Sequence, residues 1–234
     1  EIRPRDWSSD VCSSDLLEKY PNAIVLTNPK VAENIKNMLF VPEEKIQIIA
    51  DGEEISLGDK TLKFIFAPGV HWPDTMFTYI KEDNVIFTCD FLGAHYTFTD
   101  IFAPESKELE KSAKRYYAEI MMPFRMMCKK YTKMIKEMNV DMILPSHGPV
   151  HKNPNYILDL YTDWTSDTPK NLVALPYVSM YESTKEMIDY LSNKLEAKGI
   201  KTFKFDIVDD DLGDLAMALD RKSTRLNSSH VALS

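Results

Sequence analysis

Cysteine is scarce in this 234-residue chain, and Cys12, Cys89 and Cys128 are scattered with no Cys-x-x-Cys pair. That excludes a disulfide framework and a thiolate zinc cluster, both of which need spaced sets of thiols. A reducing cytoplasm suits the pattern. No apolar run approaches the roughly 20 residues that span a bilayer, and the N-terminus lacks the basic-then-apolar order of a signal peptide. The chain therefore reads as soluble, unexported and without a membrane partner. A surplus of basic charge is also missing. With 28 Lys and Arg against 36 Asp and Glu, the formal net charge is −8. Phosphate backbones are bound by clustered Lys and Arg, so no nucleic-acid partner is expected.

What is present is enough for one substantial core and part of a second, at 44% hydrophobic residues in 234. Both ends differ in composition from the rest. Residues 1–15 and 221–234 are Ser-rich and aperiodic, resemble translated sequencing-adaptor sequence, and read as non-native tails that leave the genuine protein cut at both ends. The first half of the chain is dominated by strands. Ala23–Leu26 is followed by a short amphipathic helix over 29–39, with Val31, Ile35 and Leu39 at helical spacing. Asp51-Gly52 marks a hairpin turn, and Thr61–Phe66, Met76–Ile80 and Val85–Cys89 read as strands, the last two joined by the polar turn Lys81–Asn84. From Pro104 the period changes to 3.6, with Leu109, Ala113, Tyr116/Tyr117 and Ile120 on one side. Pro123 interrupts that helix, since proline lacks the backbone donor, and a second runs from Phe124 to Met138, with Asn139 as its cap. Asp141–Leu144 is then a buried strand.

Three residues share one setting. His71 sits among Pro68, Gly69 and Pro73; Asp90 ends an apolar strand; His147 follows another strand inside Pro145-Ser146-His147-Gly148-Pro149. Loop and strand-end positions are where site residues concentrate. Any one of them alone reads better as a hydrogen-bonded structural residue. Together they form a nitrogen/oxygen donor set suited to zinc or iron, with the aspartate able to bridge two ions.

After a short helix near Tyr156–Trp164 and a Pro-containing linker at 168–170, a second pattern begins. Leu172–Leu175 is an apolar strand, a helix follows to Lys198 and stops at Gly199, and Lys201–Val208 alternates as another strand, which is a βαβ unit in outline. In the first connection, the hydroxyls of Ser179, Ser183 and Thr184 with the N–H groups opening the helix suit a phosphate. Ser183-x-x-Glu186 is equally a capping box.

The segments His71-Trp72-Pro73-Asp74-Thr75-Met76, Cys89-Asp90-Phe91-Leu92-Gly93-Ala94-His95, Arg115-Tyr116-Tyr117-Ala118 and Pro145-Ser146-His147-Gly148-Pro149 resemble those of flavodiiron proteins. In that family a metallo-β-lactamase-like domain holds two irons and a flavodoxin-like domain holds FMN. The resemblance implies an α/β chain: a partial metallo-β-lactamase-like αβ/βα sandwich over 16–167, then the first βαβ unit of a flavodoxin-like doubly wound domain over 168–220. It implies that His71 and His147 each ligate one of two non-haem irons and that Asp90 bridges both. His95 is then a supporting residue, and one of Tyr116 and Tyr117, with Tyr117 preferred, donates a hydrogen bond to bound dioxygen or nitric oxide; core packing is the alternative for both tyrosines. The loop Ser179, Met180, Tyr181, Glu182, Ser183, Thr184 is similar to the FMN-phosphate loop, with Glu182 where the family often has glycine.

The implied activity is reduction of dioxygen to water or nitric oxide to nitrous oxide. Electrons would pass from a small carrier such as rubredoxin through FMN, in a head-to-tail homodimer. One departure is large: the family's upstream His-x-Glu-x-Asp-His motif has no counterpart, because residues 1–70 contain no histidine. The same absence removes the His-x-His-x-Asp-His motif of zinc-dependent hydrolases of this fold, which are the alternative class. The missing motif predicts that the chain binds iron weakly or not at all, the lack of the flavodoxin-like third strand and its loop predicts poor FMN retention, and the chain taken alone is expected to be inactive.

Overall fold

Alternating apolar residues build the central sheet, and its connections decide where loops meet. The computed structural model describes residues 16–97, 99–168 and 171–220. The two segments read as non-native tails, and Pro169 and Lys170 of the linker, lie outside the described residues.

The chain opens with β1 (Val25–Thr27), α1 (Pro29–Met38), a 3-10 turn (Glu43–Lys45) and β2 (Ile46–Ile48), with β1 and β2 parallel. Asn28 starts α1 by accepting hydrogen bonds from the N–H groups of Lys30 and Val31, and Pro29 takes the first helical position, where a missing N–H costs nothing. Then β3 (Glu54–Ser56), β4 (Thr61–Phe66), β5 (Met76–Ile80) and β6 (Val85–Cys89) run antiparallel, side by side. A helical crossover follows, made of α2 (Lys107–Tyr116), a π turn (Tyr117–Met121), a 3-10 turn (Met122–Phe124) and α3 (Arg125–Met138). It returns the chain as β7 (Met142–Pro145), parallel to β6, giving the order β3-β4-β5-β6-β7. The interruption expected at Pro123 takes the form of a wide turn followed by a tight one. Asn139, in the left-handed region at φ 51°, ends α3 as expected.

Helix α4 (Pro154–Thr165) packs on α3. Between these helices and the sheet lies an aromatic core. Phe91 stacks on Phe77 at 5.9 Å and meets Tyr161 edge-on at 5.4 Å, while Tyr131 meets Phe77 edge-on at 5.6 Å. Such pairs stabilise beyond their area burial, by roughly 0.5–1.5 kcal/mol each.

The register aligns the strand ends. Phe66 pairs with Met76 across β4 and β5, and Cys89 with Pro145 across β6 and β7. The loops after β4, β6 and β7 therefore emerge at one edge of the sheet.

The second unit comprises β8 (Leu172–Tyr177), α5 (Ser183–Glu196), β9 (Lys201–Asp206) and α6 (Leu212–Asp220). β8 and β9 are parallel, paired from Leu172–Lys201 to Tyr177–Asp206. The expected βαβ outline is present, with its second strand ending at Asp206 because Ile207 and Val208 enter a turn. Thr202 and Lys204 point at α5, where they bond Ser192 and Asp189. Phe203 and Phe205 take the opposite face.

Candidate metal centre

Each of the three predicted ligands is set by a strand end and a tight turn. After β6 the chain turns at once: the Phe91 N–H donates to the Thr88 carbonyl, and the Thr88 hydroxyl donates to the Phe91 carbonyl at 2.7 Å. Cys89 and Leu92 adopt φ of 53° and 65° to make this turn. Asp90 is thereby projected over the sheet edge. Beyond β7, the Ser146 N–H donates to the Cys89 carbonyl at 2.7 Å, and the Ala94 N–H donates to the His147 carbonyl at 3.1 Å. The two loops thus dock backbone to backbone. A Cβ on Gly93 would lie 2.9 Å from the His147 carbonyl oxygen, and one on Gly148, at φ 87°, would lie 2.7 Å from that of Ala94. Only glycine allows that approach. His71 lies in the β4–β5 loop, which is closed by bonds from the Ala67 N–H to the Thr75 carbonyl and from the Gly69 N–H to the Trp72 carbonyl. The Asn28 side-chain amide also donates to the Asp74 carbonyl at 2.6 Å, tying the start of α1 to this loop.

These turns bring the three side chains together. His71 Nε2 lies 3.3 Å from Asp90 Oδ2, and His147 Nε2 lies 3.3 Å from Asp90 Oδ1. The carboxylate, with its side chain 17% exposed, sits between the imidazoles, one oxygen to each. The three donors do not share one coordination point. Among the described residues, no group of three or more His, Cys, Asp or Glu side chains converges to hold an ion.

The neighbouring tyrosines divide differently from the preference drawn from sequence. The Tyr116 hydroxyl donates to the Asp90 carbonyl at 3.0 Å, and its ring lies 6.3 Å from that of His147. Tyr117 points instead into the aromatic core, 5.2 Å from Tyr161 and 5.5 Å from Trp164, and its buried hydroxyl finds no partner. Adjacent helical residues diverge by about 100°, so one faces the sheet edge while the other faces α4. Burial raises both phenol pKa values well above the ordinary range. His95 packs edge-on against Tyr116 at 4.9 Å and stands 6.2 Å from His147, a supporting position. Burial, and then the charge of Asp90, push the Cys89 thiol up, which disfavours a thiolate there.

One residue that sequence reasoning passed over is His151. It is buried and donates from Nε2 to the Leu92 carbonyl at 3.0 Å, bracing the loop after Asp90. Desolvation lowers its pKa to about 4, so it is neutral at pH 7. Its signal was proximity to His147 and nothing more.

The predicted phosphate loop lies apart, at the start of α5. Glu182 takes the N-cap position at φ 62°, a conformation that favours glycine. Its carboxylate is 2.9 Å from Lys185 Nζ. No side chain caps the helix, so Ser183 and Glu186 do not form the capping box. The Ser179 hydroxyl accepts from the Lys185 N–H at 3.4 Å, and Met180 and Tyr181 are exposed.

A family model described as ODP family beta lactamase matches residues 8–148. The chain belongs to the ODP beta-lactamase family. That match spans His71, Asp90 and His147, and it begins inside the segment whose composition sets it apart. An uncharacterized protein of Methanocaldococcus jannaschii is 36% identical over 189 residues, covering 80% of this chain and 48% of the relative. The anaerobic nitric oxide reductase flavorubredoxin homolog of Escherichia coli O157:H7 is 31% identical over 227 residues, covering 94% of this chain and 52% of that protein. Among solved structures, the flavodiiron protein of Giardia intestinalis is similar at TM-score 0.79 and 26% identity, covering 87% of this chain and 51% of that one. Rubredoxin oxygen:oxidoreductase of Desulfovibrio gigas shares the fold at TM-score 0.80 and 21% identity, over 88% and 53% of the two chains. The flavodiiron resemblance read from the motifs therefore holds, and the fold is α/β with the metallo-β-lactamase-like core. The chain spans about half the length of these relatives. Among its described residues, no helix is long and apolar enough to cross a membrane.

Proposed function

We propose that the protein containing this chain is an oxidoreductase that reduces dioxygen, nitric oxide or both, with electrons passed from a small carrier through FMN to a non-haem diiron centre. The observation that carries this reading is the carboxylate of Asp90, which offers one oxygen beside each of two imidazoles. A single-ion site would bring the three donors to a common point; a bridging carboxylate divides them as these are divided. His71 and Asp90 would hold one ion, and Asp90 and His147 the other. The Tyr116 hydroxyl fixes the Asp90 backbone from below. Iron at this edge would supply the redox chemistry, and flavin the electrons.

The described residues fit the bridging half of such a centre and no more. Each ion would receive one nitrogen and one oxygen, fewer donors than stable coordination requires. The chain by itself is therefore expected to bind iron weakly. The names of the relatives support rubredoxin as the carrier and leave both oxidants open. Ser179, Met180, Tyr181, Glu182, Ser183 and Thr184 are proposed to meet the FMN phosphate. The Glu182 carboxylate lies 2.9 Å from Lys185 Nζ, whose charge offsets its own beside that loop. A head-to-tail homodimer, in which each flavin faces the partner's irons, belongs to the same proposal.

Anaerobic titration with Co(II), read by visible absorbance, tests the bridge in the chain as it exists. Asp90→Asn should abolish the signal, and His71→Ala and His147→Ala should each remove about half. A signal that survives Asp90→Asn, or that one histidine alone controls, would replace the bridged pair with a single-ion site of the hydrolase type.

A further inference from the structure

Asn28 stands between β1 and α1, and its side chain serves two elements at once. Its Oδ1 accepts from the Lys30 and Val31 N–H groups at 3.0 and 3.1 Å, which caps α1. Its Nδ2 donates to the Asp74 carbonyl at 2.6 Å, in the β4–β5 loop and three residues beyond His71. The helix N–H groups require an oxygen on one side and the carbonyl requires an N–H on the other, so its partners fix the orientation of the amide. Among side chains of this length, only asparagine carries both. At 5% exposure the residue is largely shielded from competing water.

The corner that holds Asn28 is fixed independently of the loop it reaches. Thr27 pairs with Ile48 across β1 and β2, and its carbonyl accepts from the Ile49 N–H at 2.9 Å; Thr27 and Ile49 are both buried. The Lys30 ammonium adds a bond from α1 to the same loop, 3.4 Å from the Pro73 carbonyl. Inside the loop, the Trp72 carbonyl gathers the N–H groups of Gly69 and Thr75 and the Thr75 hydroxyl. His71 therefore belongs to a segment closed on its neighbour's carbonyl, and Asp74 is the point at which α1 grips that segment. His147 is placed by other means, the docking of the β6 and β7 loops at Gly93 and Gly148.

We infer that Asn28 is the positioning residue of His71, so that the two imidazoles beside Asp90 are set by separate parts of the fold. The bearing of this on metal rests on the bridged centre proposed above; the placement of the imidazole stands on the hydrogen bonds alone. Loss of the Asn28 donor frees the His71 side of Asp90 and leaves the His147 side as it is.

Two variants of the whole chain test it. Asn28→Ser keeps a helix cap but is too short to reach Asp74, and Asn28→Asp keeps cap and length but turns an acceptor toward the Asp74 carbonyl. In the metal-free chain, amide exchange at Gly69 and Thr75 should quicken about fivefold in Asn28→Ser, the factor for one ordinary hydrogen bond, and further in Asn28→Asp, while the amides of α1 exchange as in the parent. Carbethoxylation by diethyl pyrocarbonate, read by mass spectrometry, should quicken at His71 and stay unchanged at His147. With Co(II), Asn28→Ser should weaken the signal that remains in His147→Ala and not the one that remains in His71→Ala. The inference is overturned if loop exchange and His71 reactivity match the parent, if α1 or His147 loosens as much as His71, or if Co(II) binding weakens alike in both backgrounds. A parent chain that binds no Co(II) would sink the bridged centre, and the metal-free measurements would still decide the role of Asn28.

Discussion

The two units of this chain distribute their apolar residues in opposite ways. In the first, Phe77, Phe91, Leu92, Tyr131, Ile143 and Tyr161 form one continuous core between the sheet and α3 and α4. In the second, Leu172, Leu175 and Ala218 are buried, while Met180, Tyr181, Met187, Tyr190 and Val208 are each more than 60% exposed. Helix α5 buries only Ser192. A two-stranded parallel sheet with helices beside it has little interior to offer, and parallel strands are usually covered on both faces. The first unit is thus stabilised by its own packing, and the second leans on α2 through Arg115 and Lys111. Local sequence of ordinary quality gives secondary structure in both, but only one has enough neighbours to bury what it carries.

The sharpest way to break this comparison is to remove a ring from the core. Phe91→Ala should cost about 3–5 kcal/mol, the usual range for a buried phenylalanine, read as a shift in the urea midpoint of the first unit. Leu175→Ala in the second unit should move that midpoint far less. Equal shifts would mean that the two units share one core.

Acid should act next most strongly, through His151. Its folded pKa is lowered to about 4 from 6.5, so the unfolded chain binds the proton first as pH falls. Stability is full above pH 6.5 and is lost progressively down to about pH 4, by about 3 kcal/mol in all. His151→Gln, which keeps a donor for the Leu92 carbonyl, should flatten that slope in urea titrations run at several pH values.

A smaller effect is expected where the two site loops dock. Gly148→Ala forces a Cβ into the left-handed region against the Ala94 carbonyl and should cost about 1–3 kcal/mol. The same variant should lose Co(II) binding at concentrations where the parent still binds. Unchanged binding would show that the loop approach does not position His147.

The least energetic measurement concerns native opening. Amide exchange in α5 and α6 should be faster than in α3 and α4, because opening free energy follows buried contact. Arg115→Ala should accelerate α6 further and leave α3 unaltered.

Much of this molecule was legible before its structure. The strands Thr61–Phe66, Met76–Ile80 and Val85–Cys89 were readable from apolar runs and the polar turn between them, since local pattern and tertiary burial agree there. The candidate ligands stood out because His71 and His147 sit in Pro- and Gly-containing turns and Asp90 ends an apolar strand. The choice between Tyr116 and Tyr117 was not. Both lie on one amphipathic helix, and only the packing of α2 between Asp90 and Trp164 separates a site-facing hydroxyl from a core ring. Helix α6 also escaped prediction; its meeting with Arg115 across the boundary leaves no periodic mark in sequence.

Residue order alone therefore carried the types of most elements, the family resemblance, and the three side chains proposed as metal ligands. Those follow from local propensity, turn chemistry and motif. Tertiary structure decided how Asp90 divides its oxygens between His71 and His147, which tyrosine attends it, and that Arg115 of α2 reaches Asp211 across the boundary between the units. Those depend on register and on contacts between residues far apart in the chain, where no local rule operates.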